Sequence, residues 1–445
     1  MPEESLLFHR VVAGIGLLAM IFLAWMLSTH KRRFPWRVVM GGLTIQLVLA
    51  GLVLESESGR ALFQSLGDGF NLMLGFVDEG CSLVFGPDFR EFYFAFRVLP
   101  TIIFFSSLMA ILYHLGVMQF VVRQLAVVLR YTLGTSGAES LSAAANVFVG
   151  QTEAPFVIRP YLADMTQSEL MAVMTGGFAT VAGGVLAVYI GFGIDAAHLI
   201  TASVISAPAG LLIAKVILPE TETPATAGAG TIMVPRETSN LIEAATNGAS
   251  EGLKLALNVA AMLIAFTAFM ALVDYLLNVT TLFAMNRVLG MEAEQGITLT
   301  HLCGYLFFPF AWFMGIESHD CFKAGQLLGI KVVANELLAY QQMAQWISPE
   351  TGTTEIAPRT AVILTYALSG FSSFASIGIQ VGGIGGLCPE RKKDLAKLGL
   401  RAMLGGTLAC CMTACVAGIA IGDVTEDSVK DTMSAVSDAA DATKP

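Results

Sequence analysis

Glu153 lies in a run, residues 140–157, that holds no other ionisable side chain. A carboxylate among apolar residues is costly to bury, so it calls for a partner or a water-filled cavity. Its neighbours Gln151 and Thr152 carry both donors and acceptors, which suits them to reading the edge of a heterocyclic base. The bland alternatives are an ion pair with Arg159, a cap on a helix end, and polar side chains that satisfy local backbone. Glu336, after Asn335, sits in a second such setting. A carboxylate there accepts hydrogen bonds well from vicinal sugar hydroxyls, and a pair with Lys331 is the alternative. Asn146 and Thr180 offer neutral oxygens, and unwound backbone around Val149, Thr180 and Val181 would add carbonyls. All-oxygen, uncharged coordination suits a small hard cation such as Na+, whereas Gly, Ala and Thr are also common in plain helix packing. Glu317, His319 and Asp320 fall nearer a turn and favour a structural role.

These groups need elements that place them in lipid. Of 445 residues, 55% are hydrophobic and 13% charged, against roughly 25% charged in soluble chains. The apolar stretches are continuous rather than alternating, so the fold class is all-α and polytopic, with about eight transmembrane helices. Their expected positions are 11–28, 38–54, 98–122, 170–192, 198–218, 255–277, 361–385 and 398–421. The acidic, Phe- and Leu-bearing segment after residue 54 predicts an interfacial helix. Basic clusters at Lys31-Arg32-Arg33, at Arg123 and Arg130, and at Arg391-Lys392-Lys393 belong inside by the positive-inside rule. Both termini are then outside, and the acidic tail is a polar extension.

Two apolar regions, 134–160 and 302–340, are interrupted by Gly, Pro and ionisable residues and predict re-entrant hairpins, because broken backbone at membrane depth must be enclosed by protein or line a cavity. Each precedes a span rich in small and hydroxyl residues, and then another helix. Hairpin, broken helix, helix, occurring twice with opposite entry sides, is the pattern of an inverted-repeat transporter. The expected divisions are 1–130 for N-terminal scaffold spans, 131–220 for the first transport repeat, 221–280 for a loop and scaffold helix, 281–421 for the second repeat, and 422–445 for the tail.

No Gly-x-Ser-x-Gly elbow, His-Glu-x-x-His helix, phosphate loop or dinucleotide fingerprint is present in the sequence, so an enzyme and an organic cofactor are not expected. Seven scattered cysteines lack metal spacing. The net charge of −10 falls mainly in loops and tail, which gives no reason to expect a nucleic-acid partner.

On the motifs Gly134-Thr135-Ser136-Gly137-Ala138-Glu139-Ser140, Asn146 through Pro155, Gly177-Phe178-Ala179-Thr180, Ser206-Ala207-Pro208-Ala209, Pro219-Glu220-Thr221-Glu222, Asn335-Glu336 and Gly370-Phe371, the chain resembles the concentrative nucleoside transporter family. The resemblance covers roughly residues 95–421, with residues 1–94 similar only in layout. It implies a homotrimer in the plasma membrane that imports nucleosides on a Na+ gradient by an elevator movement, a H+-coupled version being the alternative. A channel or a nucleoside-modifying membrane enzyme would be the readings from other classes. By the same resemblance, Gln151, Thr152 and Glu153 address the nucleobase with Val185 lining its pocket. Glu336 and Ser376 hold the ribose beside Phe371. Asn146, Val149, Thr180 and Val181 ligate Na+. Ser373 stands where the family usually has an Asn ribose ligand, and Ala375 replaces a common Ser; Gly150 and Gly184 leave room for varied bases.

Overall fold

A computed structural model describes residues 3–92, 94–228, 238–283, 286, 296–347 and 354–422. Most of the acidic tail lies outside the described residues. Helices account for every regular element among them, and seven are long and apolar enough to cross a membrane.

The N-terminal helices α1 (Glu3–Met26) and α2 (Trp36–Ala50) are separated by the basic loop, and α2 is continued by a turn of wider helix to Glu55. The acidic segment then forms α3 (Glu57–Phe85), started by Ser56, whose hydroxyl accepts from Gly59 N–H at 3.0 Å. Its buried residues Gly67, Leu74, Val77, Asp78 and Cys81 fall on one stripe, as expected of an amphipathic helix lying against a surface. Arg97 Nε donates to Asp78 at 2.8 Å, fixing α3 to the start of α4 (Leu99–His114).

The expected span 98–122 ends early, at His114. Gly116 adopts φ +84°, a left-handed turn that only glycine enters cheaply. The chain restarts as α5 (Val117–Leu133), whose buried Met118, Val122, Ala126, Leu129 and Leu133 recur at helical spacing on one face.

Next come α6 (Gly137–Asn146), a non-helical tip over residues 147–153, and the short α7 (Ala154–Val157). The following span is two pieces, α8 (Gln167–Ala179) and α9 (Gly183–Gly191), with extended backbone at Thr180 and Ala182 between them. Then α10 (Ala196–Ile217) runs through the interior.

α11 (Leu241–Phe283) is far longer than the expected 255–277 and packs along α4. The region 302–340, expected as one hairpin, is instead a separate apolar helix α12 (Leu299–Phe313) followed by α13 (Cys321–Val333) and α14 (Glu336–Ile347). Gly315, at φ +78° and with a β-carbon position 2.6 Å from His9 O, ends α12 there. The break equivalent to the first tip is at Ala334 and Asn335.

The expected span 361–385 is likewise two half-helices, α15 (Pro358–Leu368) and α16 (Phe374–Leu387), before α17 (Lys392–Ala420). The order of two short helices, a broken helix and a continuous helix thus occurs twice, as α6–α10 and α13–α17.

Burial separates inner from outer helices. The most apolar windows of α8–α9, α10 and α17 are 94%, 89% and 89% buried, while that of α11 is 6% buried. The broken helix α8–α9 therefore lies in the protein interior with α10 and α17, whereas α16 buries only Ser376, Gln380, Ile384 and Gly385, and α11 leaves its flank to whatever surrounds the chain.

Candidate functional site

The tip at 147–153 is held against the break between α8 and α9. Gly183 N–H donates to Phe148 O at 3.0 Å, and Ser203 Oγ donates to Val147 O at 2.8 Å. A β-carbon on Gly183 would sit 2.6 Å from Phe148 O, so only glycine allows this approach. The two helix breaks also meet each other. A β-carbon on Gly370 would come within 2.6 Å of Phe178 O and of Cys410 Sγ, and Cys410 Sγ lies 3.4 Å from Ser369 O.

Asn146 closes α6 at this junction. It is buried, its amide nitrogen lies over Gly176, and its Oδ1 has no hydrogen-bond partner. An orphaned buried carbonyl costs roughly 1–3 kcal/mol, so its place calls for a ligand. One turn on, Thr180 Oγ1 donates its proton to Gly176 O at 2.9 Å, which leaves the hydroxyl oxygen free to accept. Val149 and Val181 are buried in the tip and in the break, where the backbone is not helical. The donor set is neutral and all oxygen, which fits Na+.

The three adjacent residues expected to address a base separate. Gln151 is buried and accepts at Oε1 from Gln380 Nε2 of α16 at 2.9 Å. The Thr152 methyl packs 3.2 Å from the β-carbon position of Gly383 on α16. Glu153 is not within ion-pair distance of Arg159; one carboxylate oxygen accepts weakly from Gly150 N–H at 3.4 Å. It faces a cavity of about 590 Å³ whose walls include Ser106 and Tyr113 of α4, Gly184 of α9, and Glu251 and Lys254 of α11. That volume is within the usual range for small-molecule sites.

Glu336 begins α14 in the interior and is not paired with Lys331. It accepts from the hydroxyl of Tyr189 on α9 at 3.0 Å, and the Tyr189 ring stacks on Tyr340 with centroids 4.3 Å apart. Tyr340 in turn donates to Thr365 O at 2.7 Å. Lys331 donates to Ala367 O at 2.8 Å, near the carbonyl end of α15, where a cation is favoured. Val185 lies one turn before Tyr189, on the same face of α9, so base-side and sugar-side candidates share one helix.

Ser373 caps α16, its hydroxyl accepting from Ser376 N–H at 3.4 Å and lying 3.0 Å from Ser376 Oγ. Both serines are buried, and Phe371 is half-buried in the break before them. Asp320, placed near a turn by its position, does structural work as expected: it accepts from Ala357 N–H at 2.9 Å and from Thr360 Oγ1 at 2.7 Å.

Sequence reasoning missed Tyr189, Gln380 and a buried ionic cluster. In that cluster Lys215 of α10 contacts Glu139 of α6 at 2.6 Å and Glu220 at 3.4 Å, while Ser136 Oγ donates to Glu169 of α8 at 2.5 Å. Glu139 and Glu169 each complete a capping box at the start of their helices, a spacing (Ser/Thr, then Glu three residues on) that was readable in the sequence. The cluster pins α6, α8 and α10 together.

Seven helices long and apolar enough to cross a membrane, with two broken helices meeting beside a polar tip, define a multi-pass helical membrane protein with its candidate site at that meeting. Residues 198–418 match the model for the Na+ dependent nucleoside transporter C-terminus, residues 15–88 that for its N-terminus, and residues 95–196 one described as nucleoside recognition. The chain belongs to the Na+ dependent, or concentrative, nucleoside transporter family. It is 41% identical over 421 residues to Solute carrier family 28 member 3 of Homo sapiens, covering 92% of this chain and 60% of that one. Against Sodium/nucleoside cotransporter 1 of Rattus norvegicus the identity is 42%, with 92% and 64% covered. The chain thus spans about three fifths of the length of the curated relatives it matches. Among solved structures, CNTnw in an inward-facing substrate-bound state is 38% identical with a TM-score of 0.84, covering 94% of this chain and all of that one. A doubly substituted CNTnw in an outward-facing state matches at 38% and 0.83, with 92% and 97% covered. The N-terminal match reaches into residues that resembled the family only in layout.

Proposed function

We propose that this protein is a secondary active symporter that imports nucleosides across the plasma membrane on a Na+ gradient. The observation that carries the reading is the orphaned Asn146 Oδ1, on an amide packed over Gly176, the residue whose carbonyl accepts from Thr180. Asn146, Val149, Thr180 and Val181 would hold Na+, the valines through their carbonyls. Gln151, Thr152 and Glu153 would address the base with Val185 beside it; Glu336, Ser373 and Ser376 would hold the ribose, packed by Phe371. The names of the relatives, sodium/nucleoside cotransporters, support both the ion and the substrate.

Coupling follows from shared parts. A cation bridging Asn146 and residues 180–181 ties the tip to the break, and the same tip carries Gln151 to Glu153. Ordering it for one ligand lowers the cost of binding the other, which is the linkage a symporter needs. In this reading α6–α10 and α13–α17 are inverted re-entrant repeats forming a moving body, and α4 and α11 belong to a fixed scaffold. The open flank of α11 would be covered by lipid and by two further copies in a homotrimer, with both termini outside.

Uptake of radiolabelled uridine or adenosine into proteoliposomes, with separate Na+ and H+ gradients, tests the reading. Accumulation that follows Na+ supports it; accumulation driven only by H+, or by no cation gradient, would refute the Na+-coupled form. Native mass spectrometry of the detergent-extracted protein tests the trimer.

A further inference from the structure

The Gln380 side chain of α16 is fully buried in an otherwise apolar stretch of helix, and no other part of the site explains a polar group there. Its Nε2 donates to Met174 O of α8 at 3.1 Å and to Gln151 Oε1 at 2.9 Å, while its own Oε1 has no partner. Gly177 makes the space: a β-carbon there would lie 2.7 Å from Gln380 Nε2 and 2.9 Å from the Gln151 β-carbon.

The polarity of this chain is forced. A backbone carbonyl can only accept, so Met174 O requires Gln380 to turn its NH2 toward it. The same NH2 faces Gln151, which must then turn its carbonyl oxygen inward. Gln151 is left with its own NH2 directed away from Gln380. An amide that could otherwise flip at little cost is thereby set as a donor.

We propose that Gln380 is a specificity-determining positioning residue that fixes the Gln151 amide as a hydrogen-bond donor toward the substrate. The inference rests on the reading of Gln151 as a nucleobase contact. With the ribose at Glu336, the proposal sets the exocyclic atom farthest from the sugar, at position 4 of a pyrimidine, against Gln151. A carbonyl there, as in uridine, accepts from the Gln151 NH2; an amino group, as in cytidine, presents donor to donor.

The test measures uptake kcat/KM for uridine and cytidine in proteoliposomes under a Na+ gradient, for the wild type, Q380M, Q151M and the double variant. The wild type is expected to favour uridine by about fivefold or more, a discrimination worth one hydrogen bond. Q380M releases the amide, and the preference falls toward unity. In the Q151M background, Q380M changes the preference no further, because it acts only through Gln151. A wild type that takes up both equally, or prefers cytidine, overturns the proposal even if no variant folds. So does a Q380M effect on the preference that persists without Gln151. A wild type that takes up neither nucleoside refutes the transport reading itself, which is a different result.

Discussion

Tyr189 of α9 donates its hydroxyl to Glu336 of α14 at 3.0 Å, joining the two repeated halves across 147 positions of sequence. Neither residue is exposed. The bond holds one carboxylate oxygen; in the proposed reading the other would accept from the ribose, and Tyr189 would aim it.

Y189F removes that hydroxyl and keeps the ring that stacks on Tyr340. A hydrogen bond to a charged group is worth about 1.5–3 kcal/mol, so KM for nucleoside should rise about tenfold or more. The amount of protein in the membrane should not change. A kinetic comparison of uptake by the two proteins at matched reconstitution checks this.

E336Q keeps the shape but weakens acceptance from the ribose. Uptake of uridine should drop by at least about tenfold, in line with the loss of charge-assisted bonds. If Glu336 reads ribose hydroxyls, 2′- and 3′-deoxyuridine should lose less than uridine does. Equal losses for all three would argue for a purely structural Glu336.

N146A and T180A strike the proposed cation site. The half-saturating Na+ concentration should rise for each, while nucleoside KM at saturating Na+ stays near the wild-type value. Titration of uptake against Na+ at fixed nucleoside separates the two. Unchanged Na+ dependence in both variants would move the site elsewhere.

S373N introduces the side chain that resemblance leads one to expect at this position. Asn caps helices as well as Ser does, so α16 should keep its start. The added carboxamide offers more groups to a sugar, and apparent nucleoside affinity should increase by a few-fold. Competition by 2′-deoxynucleosides against labelled uridine reports whether the gain falls on the ribose.

K215M leaves the Glu139 carboxylate buried without its cation. Breaking a buried pair from one side costs about 3–5 kcal/mol, so thermal stability in detergent should fall markedly. K215R should recover part of it. A melting curve followed by size-exclusion chromatography reads the difference without depending on transport.

The all-helical membrane-spanning class and the repeated helix breaks were legible because lipid imposes local rules. A helix must supply about 20 apolar residues to cross, and a Glu or a Gly–Ser–Thr cluster inside such a run stands out at once. That is why both helix breaks could be read from the chain alone, and why the third span, ended by the left-handed Gly116, was over-extended: an apolar run continued past the turn. The region 302–340 was misjudged for a similar reason, since only the short break at 314–320 separates the apolar α12 from α13.

Which buried residue meets which was decided only by tertiary structure. Gln151 with Gln380, Glu336 with Tyr189, and Glu139 with Lys215 are separated by 229, 147 and 76 positions. Helices such as α8, α10 and α17 are buried nearly all round, so they carry no apolar stripe from which their rotation could be read. Their facing is set by packing, by where Gly177, Gly183 and Gly370 let backbones approach, and that is a property of the assembled fold.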